Sequence, residues 1–214
     1  MAHRIRLIPI LCIAFVLQCL ASCGGSKTQP EQPRQVDDAA RHQQTPTNAA
    51  SEMEFKLTTP AFEPDGPIPR KYSGEGEDIS PEFTWGGVPP GTKEFALVCD
   101  DPDARSKNPW VHWVIYGIGP DVRTLPENLK SGVGELTEPI VAKQGENFFD
   151  KGNTVGWRGP MPPVGRGTHH YHFKLYALDT RLDLPPGATK PQLLEAIKGH
   201  VLGEAEIIGT YERK

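Results

Sequence analysis

Cysteine is what this chain has least of, in any usable form. Of its four cysteines, Cys12 and Cys19 fall in an apolar leader and Cys23 closes it. A processed chain therefore keeps only Cys99 and can form no intramolecular disulfide. A lone thiol on an apolar strand is read as packing. Long apolar runs are also missing: Leu7 to Leu20, interrupted by Gln18, falls short of the roughly 20 residues that span a bilayer. Positive charge is scarce, because losing Arg4 and Arg6 takes the 23 Lys and Arg to 21 against 27 Asp and Glu, a net of −6. An acidic surface argues against nucleic acid as partner. There is no internal repeat, no GxSxG elbow for a serine hydrolase, no paired CxxC and no helical i,i+4 histidine pair for a metal. Nothing in the sequence calls for a cofactor.

The leader is short and begins with Arg4 and Arg6, as secretory signals do. Its end, Leu20-Ala21-Ser22-Cys23, resembles the lipobox of bacterial lipoproteins, which implies cleavage after residue 22 and acyl chains on Cys23. Those chains anchor the protein, each buried methylene contributing about 0.8 kcal/mol. The expected location is the bacterial cell envelope. Gly24, in place of a retention-type aspartate, favours the outer membrane where one exists. Residues 23–52 are rich in Gln, Pro, Ala and charge, with Val36 the only large aliphatic. Such a segment cannot bury enough to order itself, and reads as a tether with a coil reach of about 30 Å. Residues 53–214 form one domain, large enough for a proper core.

That domain reads as mainly β. Twenty-two prolines and 22 glycines punctuate it, and strands are expected at Phe55–Thr58, Glu82–Trp85, Phe95–Cys99, Val111–Ile118, His169–Leu178 and Glu206–Tyr211. One helix is well marked. Thr189 with Gln192 makes a capping box and Pro191 sits in the first turn. Leu193, Leu194, Ile197 and Val201 would share its face, with Lys198 and His200 in its last turn.

The stretch around which everything else is arranged runs from Glu94 to Ile118. Phe95, Leu97 and Cys99 face one way and Ala96 and Val98 the other, all apolar, so the strand is expected to be buried on both sides. Asp101 and Asp103 flank Pro102 at its end. His112 lies within the next strand, placed by simple alternation on one face with Trp110 and Val114. Burying ionisable groups is costly unless they are paired, so these residues are either a satisfied core histidine with a polar turn, or a site. Further on, alternation along His169–Leu178 divides the histidines. His169 and Tyr171 share the face of Phe173 and Leu175, while His170 and His172 share that of Lys174 and point toward water. The Gly/Pro-dense loop before them, 156–168, can bring backbone amides close to an anion.

The runs PAFEPDGPIPRKY, GEDISPEFTW, GVPPGTKEFAL, DDPDA, WVHWVIY, GPMPPVGRGTHHYHFKLYALD and GHVLGEAEIIGTYER together resemble the phosphatidylethanolamine-binding protein family, most of all its bacterial Raf-kinase-inhibitor-like branch. The resemblance implies a Greek-key antiparallel β-sandwich with few short helices and a small anion pocket at one end. It places that pocket on Asp101, Asp103, His112, Gly159, Pro160, His169 and Tyr171. The chain departs from the pattern in three ways. Arg105 stands where many relatives have Pro, Gly74 where bacterial relatives often carry Cys, and no counterpart of the extra C-terminal helix of mammalian members follows. The function implied is an envelope-anchored binding module for a small phosphate-type anion or phosphate-bearing headgroup, with a protein partner open. Two alternatives stand beside it: a hydrolase or lyase using a His/Asp general base, and an inhibitor or scaffold for an enzyme or kinase.

Overall fold

The computed structural model describes residues 54–214; the expected signal peptide, Cys23 and the tether lie outside them. Nine strands and one helix follow in order: β1 (Lys56–Thr58), β2 (Phe83–Gly86), β3 (Glu94–Asp101), β4 (Trp110–Ile118), β5 (Thr124–Leu125), β6 (Glu135–Leu136), β7 (Ala142–Gln144), β8 (His169–Leu178), α1 (Lys190–Ala196) and β9 (Val201–Tyr211). The larger sheet has the order β6-β7-β4-β3-β8-β9 and the smaller β1-β2-β5, with every ladder antiparallel. Strand β8 returns beside β3, so the order β8-β3-β4-β7 is a Greek key. The domain is mainly β, as its strand patterning predicts. Strands β5, β6 and β7 are two or three residues long, too short for any period to register.

Both faces of β3 are covered, which explains why all eight of its residues are buried. On one face Phe95, Leu97 and Cys99 join Phe173 and Leu175 of β8 and meet Leu57, Phe83, Trp85 and Leu125 of the smaller sheet. Phe173 is central there, its ring 4.7 Å from that of Phe83 and 6.0 Å from that of Trp157. Truncating such an aromatic to alanine costs about 3–5 kcal/mol. On the other face Ala96 and Val98 join Val114, Tyr116 and Leu178 beneath Leu193 and Ile197 of α1.

Helix α1 starts as the sequence dictates: Gln192 Oε1 accepts from the Thr189 amide, and Thr189 Oγ1 accepts from the Gln192 amide. It ends sooner than expected, with Ile197 as its C-cap. Gly199 turns the chain at φ +80°, and Val201 opens β9 instead of continuing the helical face. Leu194 is more than a third exposed, so only Leu193 and Ile197 make the buried stripe. Lys198 and His200 lie beyond the helix.

Candidate functional site

Simple alternation fails at His112, and the failure shapes the site. Cys99 pairs with Trp113 but Asp100 pairs with Val111, so β4 carries one extra residue, His112, in a β-bulge. A bulge bends its strand and re-aims a side chain. Val114 consequently turns to the α1 side while Trp113 joins the inter-sheet core. His112 does not share a face with Val114. Its ring instead stands 5.1 Å from that of Tyr171, nearly perpendicular to it.

The His112 ring is held by the 156–168 loop. Its Nδ1 donates to the Arg158 carbonyl at 2.6 Å, while the Arg158 amide donates to the His112 carbonyl. Because a carbonyl only accepts, Nδ1 carries the proton, and Nε2 of the neutral ring is an acceptor. Burial pushes the pKa of His112 down to about 4, against smaller opposing effects of the Arg158 carbonyl and of Asp101 and Asp100. The ring is neutral at ordinary pH.

Across from it, Asp101 ends β3 with both oxygens engaged. Oδ1 accepts from the amides of Asp103 and Ala104 at 2.8 and 3.1 Å. Oδ2 faces His169 Nδ1 at 2.7 Å, and the pair is almost wholly buried. His169 and Tyr171 point inward together, as their shared parity requires. The Tyr171 hydroxyl is buried and makes no well-formed hydrogen bond, although it lies close to the Asp101 carboxylate. Desolvation, then the nearby Asp101 charge, raises its pKa, so it is a protonated phenol. A buried hydroxyl without a partner costs free energy, and this one borders a cavity.

The cavity holds about 380 Å³ and is bordered by Asp101, Asp103, His112, His169 and Tyr171. Five of the seven residues expected at the site thus meet in one place. Asp103 is at the mouth rather than the floor: it is exposed, and its Oδ2 accepts from the His170 amide and ring at 2.8 and 2.7 Å. Hydrogen bonding to His170 lowers its pKa. Gly159 and Pro160 stand behind the wall. The Gly159 amide, expected to face an anion, donates to Asp78 Oδ1 at 2.7 Å. A Cβ on Gly159 would lie 2.1 Å from the Tyr72 carbonyl oxygen, so glycine is there for backbone packing. The Pro160 carbonyl accepts from the Gly74 amide.

Among the other lining residues, the sequence does not mark Trp110, Phe149, Met161 or Arg166 as site residues, while Arg105 stands on the rim. Trp110 meets Phe148 and Phe149 edge-on at 5.9 and 5.6 Å. Adjacent phenylalanines in a polar loop were the signal available for them. Among the described residues no group of three or more His, Cys, Asp and Glu is arranged to hold a metal, and no helix is long and apolar enough to cross a membrane.

Comparison with known proteins agrees with this architecture. Residues 58–212 match the family described as phosphatidylethanolamine-binding protein. The chain belongs to the phosphatidylethanolamine-binding protein family. It is 54% identical over 159 residues to a UPF0098 protein of Methanothermobacter thermautotrophicus, covering 74% of this chain and 99% of that one. It is 37% identical over 198 residues to a protein of Mycobacterium tuberculosis named "Putative lipoprotein LppC", with 90% of each covered. Among solved structures it resembles E. coli YbcL, described as a member of the mammalian PEBP family, with TM-score 0.68 and 32% identity over 75% of this chain and 99% of that one. Arg105 and Arg166, both exposed, place two cations at the mouth of the cavity.

Proposed function

We propose that this chain is an envelope-anchored binding protein whose cavity takes a small phosphate-type anion or phosphate-bearing headgroup. The observation that carries the reading is the unpartnered Tyr171 hydroxyl, set between His112 and the His169–Asp101 pair in a cavity with Arg105 and Arg166 at its mouth. The family's name supports a phospholipid-type ligand, and the lipoprotein-named relative supports the anchor at Cys23. Control of a partner protein through occupancy of the cavity is consistent with the same site.

Catalysis finds less support. The Ser106 hydroxyl at the cavity edge is bonded to the Asn108 carbonyl, and Cys99 is buried with its thiol pKa driven up by desolvation. A hydrolase would have to activate water with His112 or His169.

Titration calorimetry with inorganic phosphate tests the reading on the wild-type domain and on His169→Ala. Loss of a charge-assisted hydrogen bond is worth roughly 1.5–3 kcal/mol, so the variant should bind at least tenfold more weakly. No heat from the wild type, or an unchanged affinity in His169→Ala, would remove the anion reading. Cys23→Ser should release the protein from the membrane fraction; unchanged detergent partitioning would remove the anchor.

A further inference from the structure

The hydrogen-bonding capacity of the cavity floor constrains its ligand further than charge alone. His112 Nδ1 is committed to the Arg158 carbonyl, so the edge of the ring that borders the cavity offers a lone pair. Both Asp101 oxygens are already engaged, Oδ1 by two amide donors and Oδ2 by His169. Tyr171 brings a hydroxyl that can donate. A fully ionised phosphate offers acceptors only. It would set a lone pair against His112 Nε2, beside a buried carboxylate. An acidic group that keeps one proton satisfies both kinds of partner, donating to His112 and accepting from Tyr171.

We propose that the cavity is specific for an anion carrying its own proton, a phosphomonoester monoanion, with His112 Nε2 as the acceptor of its hydroxyl. This rests on the anion reading above and narrows it. Around the ring, the loop brings the Gly159 backbone as well as that of Arg158. Strand β3 presents Asp101, and Asp100 behind it, whose carboxylate is paired with Lys190. Strand β8 presents His169 and Tyr171, and the loop presents the Arg158 carbonyl while the Arg158 guanidinium is turned to Asp78 at 3.1 Å. Arg105, Asp103 and Arg166 stand only at the mouth. Because burial keeps the His112 ring neutral well below pH 7, the ring does not supply the missing proton itself. The cavity exceeds one phosphate group, and Trp110 and Phe149 flank it, so an aryl ester is a fitting probe.

Phenyl phosphate and phenyl sulfate are near-isosteric, and at low pH both carry one negative charge, but only the phosphate retains a proton. Calorimetry on the wild-type domain at pH 6 should give phenyl phosphate at least a tenfold tighter dissociation constant. Its affinity should hold steady below the ester's second pKa of about 6 and fall tenfold per pH unit above it. His112→Gln, whose amide can donate as well as accept, should bring the two esters close to parity. Equal binding of both esters to the wild type, or a phosphate affinity that rises above pH 7, overturns this proposal and leaves the anion reading standing. Binding of neither ester at pH 6 overturns both. The wild-type comparison decides the matter even where His112→Gln fails to fold.

Discussion

Strand β3 begins and ends in a buried carboxylate, Glu94 at one end and Asp101 at the other, and each faces an irregularity in β4. At the Glu94 end the register slips between Phe95 and Leu97, where Gly117 turns at φ +70°. Glu94 Oε1 accepts from the Gly117 amide at 2.9 Å, and Oε2 from the Leu182 amide at 3.0 Å. Both oxygens of the carboxylate there find backbone partners, and it acts as a clip on two loops. At the Asp101 end the bulged residue is His112, the partner of the carboxylate is an imidazole, and a phenol beside them has none. The same device of carboxylate plus bulge closes the sheet at one end and leaves unmet hydrogen-bonding capacity at the other. Incomplete satisfaction, rather than burial of charge, marks the site.

The largest effect that separates the two ends is pH dependence at His112. Its folded pKa of about 4 lies below the unfolded value near 6.5. Between those values the unfolded chain takes up a proton that the folded chain refuses, so this contribution to stability is complete above pH 6.5 and is lost as pH falls toward 4. The full window is worth roughly 3 kcal/mol. Urea unfolding at several pH values should show the wild type losing that much more than His112→Gln on acidification. Parallel curves from pH 7 to 4 would mean that the ring is not held neutral in the fold.

Next comes the clip itself. Glu94→Ala strands the Gly117 and Leu182 amides and should destabilise the domain by about 2 kcal/mol. Phenyl phosphate affinity, read by calorimetry, should not move. If the affinity fell tenfold while the domain stayed folded, the two ends would be coupled and the contrast between them lost.

How much of this contrast the sequence could show depends on the residue. The two-sided burial of β3 is legible because Phe95–Cys99 is apolar at every position. The inward parity of His169 and Tyr171 is legible because β8 runs without a break from His169 to Ala177. The bulge at His112 is not, since an inserted residue leaves no mark on composition and only the pairing of Asp100 with Val111 reveals it. The role of Gly159 was hidden for a different reason. Glycine signals close backbone approach, but whether to a ligand or to the Tyr72 carbonyl is a long-range fact. Helix α1 was overrun because Val201 happens to extend its apolar period past Gly199.

Smaller in size, but opposite in sign for stability and binding, is the expected effect of Tyr171→Phe. Removing a buried hydroxyl that has no partner should raise stability by about 1 kcal/mol, an uncommon gain for a core substitution. The same change removes a donor from the cavity floor and should weaken phenyl phosphate binding severalfold. Thermal unfolding together with calorimetry reads both. A loss of stability would show that the hydroxyl has an internal partner in solution, and the claim of unmet capacity at this end would fall with it.

The smallest effect is expected at His170→Ala, one residue from His169 and on the opposite face. Its ring is half exposed and meets Asp103, itself 42% exposed, so solvent screens the pair and it should contribute no more than about 1 kcal/mol. The substitution also leaves half of the arrangement intact, because the His170 amide still donates to Asp103 Oδ2. Asp101 keeps its own donors from the turn, so the floor does not depend on the outer pair. Calorimetry should therefore find phenyl phosphate affinity within about twofold of wild type, against the tenfold or greater loss expected for His169→Ala. Should His170→Ala lose binding while His169→Ala keeps it, the anion lies at the mouth with Asp103 and the arginines, and the buried floor is not its site.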